Sequence, residues 1–273
     1  MTDQTAKAIA FRDLHDRPEP FLLPNPWDAG SARLLAHLGF PALATTSLGV
    51  AVNHGKARAS ADEVIENCRV IAAATDLPVN ADLENGYADD PEAAAKMIAR
   101  AYQVGVVGAS IEDATGDRAK PVYDFDFAVA RVAAAVDAAR ALPQPFLLTA
   151  RAEGLLYRVH DLDEIIRRLQ AFEAVGADVL YAPALMTTAD MRAVVTSVGK
   201  PVNVVMGLSD PNITLAELAE AGVRRVSIGG AFSRVALRAV TRAATEMQAG
   251  RFTFAADLFP VKELRRVFPD DPA

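Results

Sequence analysis

The chain is short of several things, and each shortage excludes a class of protein. One cysteine, Cys68, in 273 residues leaves no internal disulfide and fits a reducing compartment. The four histidines, His15, His37, His54 and His160, share no spacing that would make a zinc site. Lys and Arg are scattered with no basic run, and the formal net charge is -7. That balance argues against nucleic-acid partners and against anionic membranes. No apolar run approaches the ~18 residues of a membrane span. The first twenty residues are polar with a charged middle, unlike a signal peptide. The expectation is a cytoplasmic protein.

What is abundant is apolar: 51% of residues are hydrophobic, ample for a large core. Short apolar runs alternate with longer, alanine-rich amphipathic segments. After an opening helix over Thr5 to Leu14, strands are expected at Phe21–Asn25, Ala42–Thr46, Pro78–Leu83, Val107–Glu112, Phe146–Arg151, Asp178–Ala182, Val202–Met206 and Arg225–Ile228. A helix follows each, the last over Phe232 to Met247. Continuously apolar strands are what parallel strands buried on both faces require. Eight βα units predict a closed (β/α)8 (TIM) barrel, with an open doubly wound sheet the weaker option. No linker or shift in composition divides the chain, so residues 1–273 read as one domain. A helical tail from about 249 to 273 carries Phe252, Phe254, Leu258 and Phe259. It is too apolar to stand solvated, and is expected to pack on its own barrel or on a partner subunit.

The chain is organised around Pro78-Val79-Asn80-Ala81-Asp82-Leu83-Glu84-Asn85-Gly86-Tyr87. An apolar run ends there in two carboxylates at i and i+2, and Asn-Gly then stops the strand. That spacing puts Asp82 and Glu84 on one face. Like charges so close call for a cation, and oxygen ligands favour Mg2+, with Mn2+ the alternative. Solvated loop-edge carboxylates are the plain alternative, but Ser110-Ile111-Glu112-Asp113 makes a second acidic strand end about thirty residues on. In a barrel, chemistry sits where strands end. Those positions hold Asn25, Asp28, Ser47, Leu48, Gly49, Asp82, Glu84, Glu112, Asp113, Arg151, Glu153 and Tyr181, a concentration of polar groups at one rim.

Five stretches together resemble the isocitrate lyase/phosphoenolpyruvate mutase superfamily, in register from about Phe21 to about Ala244. They are Pro24-Asn25-Pro26-Trp27-Asp28-Ala29-Gly30-Ser31, Thr45-Thr46-Ser47-Leu48-Gly49-Val50-Ala51, Ala81 to Tyr87, Ser110 to Asp113 and Thr149-Ala150-Arg151-Ala152-Glu153. The resemblance implies a barrel whose last helix is exchanged between subunits, in homodimers or homotetramers. It also implies a Mg2+ site and a small carboxylate substrate that is, or becomes, a 2-oxo acid or its enolate. By position, Asp82 corresponds to the carboxylate nearest the metal, with Glu84 and Glu112 joining directly or through water. Arg151 corresponds to the cation facing the enolate oxygen or a substrate carboxylate. Ser47, with the N–H groups of Leu48 and Gly49, corresponds to the carboxylate cradle, and Asn25 and Trp27 flank it.

The departures narrow the chemistry. Members that cleave isocitrate or methylisocitrate carry Lys-x-Cys-Gly-His after the fourth strand; here that loop is Asp113-Ala114-Thr115-Gly116-Asp117-Arg118-Ala119-Lys120-Pro121, with neither cysteine nor histidine. Cys68 sits mid-helix and reads as a small buried hydrophobe. Where the family tends to place an aspartate after the second strand, this chain has Gly55-Lys56-Ala57-Arg58, favouring an extra negative group on the substrate. Decarboxylation of oxaloacetate needs a metal to hold the developing enolate but no enzyme base. That demand suits the residues better than retro-aldol cleavage does. Phosphonomutase P–C chemistry, for which Arg118 and Lys120 are the only phosphoryl-holding candidates, ranks lower, and a non-catalytic 2-oxo-acid binder remains the reading from a different class. Gly229-Gly230 reads as strand–helix packing ahead of a phosphate cup, Trp27 as a packing residue ahead of a substrate platform, and Asp161-Asp163-Glu164 as a helix cap.

Overall fold

A computed structural model describes residues 3–268 of the chain. A first helix, Asp3–His15 (α1), precedes the strand Phe21–Leu23 (β1). The other strands are Leu43–Ala44 (β2), Val79–Asp82 (β3), Gly108–Glu112 (β4), Leu147–Arg151 (β5), Val179–Tyr181 (β6), Val202–Val205 (β7) and Arg225–Ser227 (β8). All pair in parallel, in the order β1-β8-β7-β6-β5-β4-β3-β2. Across the remaining seam the Ala44 N–H donates to the Pro24 carbonyl at 3.0 Å, so the (β/α)8 barrel is nearly closed.

The helices are Ala29–His37 (α2), Ser47–Asn53 (α3), Ala61–Ala73 (α4), Pro91–Gln103 (α5), Phe125–Arg140 (α6), Leu162–Ala174 (α7), Thr188–Ser197 (α8), Leu215–Glu220 (α9), Ala231–Gln248 (α10) and Val261–Val267 (α11). Their starts are written in the sequence. Asp28, Ser60, Asp90, Asp161, Thr187 and Thr214 each turn a side-chain oxygen onto an orphan N–H of the first turn. Asp161 thus caps its helix, as the sequence indicates. The short α3 was not expected. Its seven residues include a glycine and two valines, which mask helical propensity, and only the Thr46 cap announces it.

α1 plugs the end of the barrel where the strands begin. Ala8, Phe11 and Leu14 form a buried cluster with Phe21, Leu23, Val107, Leu147 and Val179. His15 closes this plug. Its Nδ1 lies 2.8 Å from the Phe11 carbonyl, which can only accept, so Nδ1 carries the proton and Nε2 faces the Arg225 guanidinium at 3.3 Å. Burial, helped by Arg225, lowers the His15 pKa to about 3. A depressed pKa means the unfolded chain takes the proton first. Stability is therefore fully present above about pH 6.5 and is lost as pH falls toward 3. Between pH 6.5 and 5 the loss is about 2 kcal/mol. Urea midpoints at pH 7.5 and 5.0 should show it in the wild type and show much less in His15→Gln, which keeps an acceptor for Arg225 but cannot titrate.

The barrel interior departs from the apolar reading of the strands. Asn80, Thr149, Asn203 and Arg225 are all buried within it. Arg225 donates to Asn203 Oδ1 at 2.8 Å and Thr149 Oγ1 at 3.0 Å, and Asn203 donates to Ser227 Oγ at 3.0 Å. Burial lowers the Arg225 pKa to about 9. Arg225, Asn203, Thr149 and Ser227 satisfy one another, whereas Asn80 Oδ1 has no hydrogen-bond partner among the described residues; the strands thus keep parallel pairing without wholly apolar inward faces.

At the other extreme, α10 packs little on its own barrel: only Ser233 is buried, and Val235, Leu237, Val240 and Met247 are exposed. The tail docks only at its end, where Val267 is buried and the Phe268 ring approaches Gly30 on α2. Phe252, Leu258, Phe259 and Val261 stay exposed. The last five tail positions, 269–273, lie outside the described residues. Among the described residues no helix is long and apolar enough to cross a membrane.

Candidate active site

Parallel register brings the charged strand ends side by side. β3 ends in Asp82, opposite Ser110; β4 ends in Glu112, opposite Arg151; and Arg151 ends β5 opposite Tyr181. The Arg151 guanidinium occupies the centre. Nη1 meets Asp82 Oδ1 at 2.9 Å, and Nη2 meets Glu112 Oε2 at 2.9 Å and Glu153 Oε1 at 2.8 Å. The Tyr181 ring lies against it, 4.9 Å from Cζ. The second Asp82 oxygen accepts the Ser47 N–H at 2.9 Å, and the Asp82 N–H donates to Thr45 Oγ1 at 2.9 Å. Three strand ends and the start of α3 thus fix one carboxylate.

Glu84 projects from a strained position. Its φ of +46° is left-handed, a conformation unusual for a residue with a Cβ and worth of order 1 kcal/mol. Arg58 directs two N–H groups at the same Glu84 oxygen, Nε at 2.8 Å and Nη2 at 2.7 Å, while the neighbouring Lys56 turns away to Glu63. Counted as ionised, Asp82, Glu84, Glu112 and Glu153 bring four formal negative charges against the two positive charges of their ion-pair partners Arg58 and Arg151, a formal excess of two. Glu112 registers the imbalance. Burial raises its pKa well above the usual carboxylate range, against the pull of Arg151, and Glu153 is raised by burial as well. The same carboxylates hold Arg151 well above its ordinary value despite burial. Among the described residues no three His, Cys, Asp or Glu side chains converge closely enough to hold an ion by themselves.

Asp113, next to Glu112, has a different job. It is buried, accepting the Glu153 N–H at 2.7 Å and Arg168 Nη1 at 2.9 Å. It fixes the frame that orients Glu153 and does not face the rim. The loop beyond it, 113–121, closes through a bridge between Ala114 and Val122.

Two cavities meet at this rim. The deeper, about 200 Å3, is lined by Asn25, Ser47, Leu48, Asp82, Arg151 and Tyr181 among others. The outer, about 470 Å3, is lined by Arg58, Glu84, Glu112, Arg118, Glu153 and Tyr157 among others. Ser47, Arg151 and Leu156 border both. Asn25 also staples the barrel, accepting from the Ile228 N–H at 3.0 Å and donating to the Thr45 carbonyl at 2.9 Å. Trp27 and Gly49 border neither cavity. A Cβ on Gly49 would lie 2.7 Å from Trp27 Cβ, so this pair packs the first loop against α3. The Gly49 N–H is engaged by Thr46 Oγ1 at 3.4 Å, which leaves Ser47 and Leu48 at the cavity wall. Gly230 is explained by packing, since its Cβ would strike Leu48 at 2.6 Å. Cys68 is fully buried with its thiol pushed up to about 12 by burial, the inert hydrophobe expected.

Glu153, counted in the sequence among the rim residues but given no role there, pairs with Arg151, as its i+2 spacing on one face allows. The Tyr181 stacking and the Arg58–Glu84 pair had no local signal, because each joins positions on different strands or loops.

A (β/α)8 barrel with an arginine caged by carboxylates at its strand ends is the class that fold and site define. The comparisons make it specific. Residues 11–248 match the phosphoenolpyruvate phosphomutase family. An uncharacterized Mycobacterium tuberculosis protein is 32% identical over 245 residues, 89% of this chain and 90% of that one. An oxaloacetate decarboxylase of Rhodopseudomonas palustris is 26% identical over 211 residues, covering 74% and 70% of the two chains. A Burkholderia cenocepacia crystal structure described in terms of a lyase or mutase superposes with a TM-score of 0.96 at 52% identity, over 98% of each chain. The chain belongs to the phosphoenolpyruvate phosphomutase family, within the isocitrate lyase/phosphoenolpyruvate mutase superfamily, and so stands among its carbon–carbon lyases and mutases.

Proposed function

We propose that the protein is a Mg2+-dependent carbon–carbon lyase that acts on a small 2-oxo acid through an enolate, with oxaloacetate decarboxylation its best-fitting reaction. One observation carries this reading: four carboxylates gathered around Arg151 and Arg58, with a formal excess of two negative charges. That excess and the all-oxygen donor set fit a divalent, hard cation. Asp82 would hold it most directly, with Glu84 and Glu112 acting directly or through water. Mn2+ is the alternative ion.

The ion's chemistry, when bound, is withdrawal of charge from the 2-oxo group as the C–C bond breaks. Arg151, already held in place by three carboxylates, offers a second positive group to the same oxygen. Ser47 and Leu48, on the deep-cavity wall, receive the substrate carboxylate. The loop 113–121 supplies no cysteine or histidine acid, and Asp113 is committed to Arg168. Proton return to the enolate then falls to water in the outer cavity, a demand decarboxylation meets and retro-aldol cleavage meets poorly. The tyrosine hydroxyls at the rim, Tyr157 and Tyr181, have raised pKa values from burial and keep their protons near neutrality. P–C chemistry has one observation in its favour, Arg118 on the outer cavity wall, whereas Lys120 is drawn aside to Asp124.

The test is thermal stabilisation by oxaloacetate, pyruvate, 2-oxoglutarate and phosphoenolpyruvate, each with and without Mg2+. A ligand that binds only the native state raises the melting temperature with the logarithm of its concentration once that exceeds Kd. Oxaloacetate should do so only with the metal. Stabilisation by phosphoenolpyruvate alone would move P–C chemistry to the front.

The assembly belongs to the same proposal. The exposed apolar residues of α10 fit burial against a second copy, in a homodimer or homotetramer with α10 exchanged. Val240→Asp, on that face, is expected to shift the protein to a monomer in size-exclusion chromatography with light scattering. An unchanged mass would count against the exchange.

A further inference from the structure

The charge at residue 58 faces the outer cavity, and nothing in the decarboxylation proposed above calls for it. Arg58 reaches in from the segment between α3 and α4, its side chain half exposed, and lines that cavity together with Glu84, Glu112, Arg118 and Arg151. Nε and Nη2 converge on one Glu84 oxygen, leaving the other Glu84 oxygen outside the pair. Nη2 also lies 3.3 Å from Asn85 Oδ1, and the guanidinium sits 5.4 Å from the centre of the Tyr87 ring. Gly116 of the loop after β4 leaves the room that Nη1 occupies, since a Cβ there would lie 3.0 Å from it. Besides Glu84, the guanidinium therefore has the Asn85 side-chain amide and the Tyr87 ring as neighbours.

Glu84 has two claims on it. Its left-handed backbone sends the carboxylate toward Arg58, yet it belongs to the acidic set with Asp82 and Glu112. A half-exposed ion pair is weak, about 0.2–1 kcal/mol, whereas a divalent ion attracts a carboxylate more strongly than a single guanidinium does. The outer cavity, about 470 Å3, is also far larger than oxaloacetate requires.

We propose that Arg58 is a specificity residue held in reserve by Glu84. A divalent cation at Asp82 and Glu112 draws the Glu84 carboxylate off Arg58, and the freed guanidinium then receives a second acidic group, a carboxylate, at the far end of the substrate. This rests on the metal-dependent reading above and deepens it. The preferred substrate is a dicarboxylic 2-oxo acid long enough to reach from Ser47 in the deep cavity to Arg58 in the outer one, and metal binds before substrate. No bond is made or broken in this step; one ion pair is exchanged for two.

The experiment measures binding, not turnover. Calorimetric titration of Mn2+ into wild type, Arg58→Ala and Arg58→Lys comes first. 2-Oxoglutarate, which has a distal carboxylate, and 2-oxobutyrate, which lacks one, are then titrated into each Mn2+-loaded protein. Arg58→Ala should bind Mn2+ about 1.5- to 5-fold more tightly, because Glu84 no longer has a competing partner. Wild type should prefer 2-oxoglutarate by about tenfold or more, Arg58→Ala should show almost no preference, and Arg58→Lys should keep part of it. Metal binding with the same affinity and the same ligand preference in all three proteins would overturn the role of Arg58 while leaving the metal site standing. No Mn2+ binding to the wild type would overturn both.

Discussion

Asp113→Ala is expected to destabilise the fold by about 3 kcal/mol or more, measured by urea denaturation near neutral pH. The substitution leaves Arg168, nearly fully buried, without its 2.9 Å partner, and leaves the Glu153 N–H without its acceptor. Glu164 still reaches Arg168 Nε at 3.0 Å, which holds the loss toward the lower end of the range for broken buried pairs. Its neighbour gives the opposite result. Glu112 is buried among like charges, and burial already raises its pKa well above the usual carboxylate range. Glu112→Gln removes a crowded charge and keeps the shape, so stability should stay level or rise while activity falls. Adjacent acids with opposite stability effects would separate the frame from the site. A severe loss of stability in Glu112→Gln would contradict this division of labour.

The second large effect is on chemistry. Asp82→Asn should reduce metal-dependent turnover about a thousandfold, since a metal's stabilisation of developing charge is worth several kcal/mol. The fold should survive. The amide oxygen can still accept the Ser47 N–H, the Asp82 backbone N–H still donates to Thr45, and Arg151 keeps Glu112 and Glu153. A melting temperature within a few degrees of wild type, together with the loss of Mg2+ effects on stability, is the expected pair of results. Retained turnover in a well-folded Asp82→Asn would remove the metal from the mechanism.

The eight strands and most of the helices were legible because each βα unit repeats its own local signals: an apolar run, a turn residue, a capping side chain. The strand ends at Asp82, Glu112 and Arg151 were legible for the same reason, since a barrel's register makes strand ends neighbours in space. What the sequence hid is what crosses between strands. Arg225 reads as a charge out of place until Asn203, Thr149 and His15 are seen around it. Asp113 and Glu112 look like one acidic pair, yet successive strand residues face opposite ways, so one meets Arg151 and the other Arg168. Arg58 could be noticed as unusual, but its hold on Glu84 depends on two loops meeting. The short α3 was hidden by residues that favour strands and was betrayed only by its cap.

The most direct test of the account is steady-state pyruvate release from oxaloacetate by metal-stripped protein to which Mg2+ is returned in steps. The account predicts negligible release without metal, and a saturable rise with Mg2+ to a rate well above that of the same free Mg2+ alone, lost in Asp82→Asn. A rate equal to that of free Mg2+ at every concentration would contradict it and leave a metal-dependent binder of 2-oxo acids in place of a lyase.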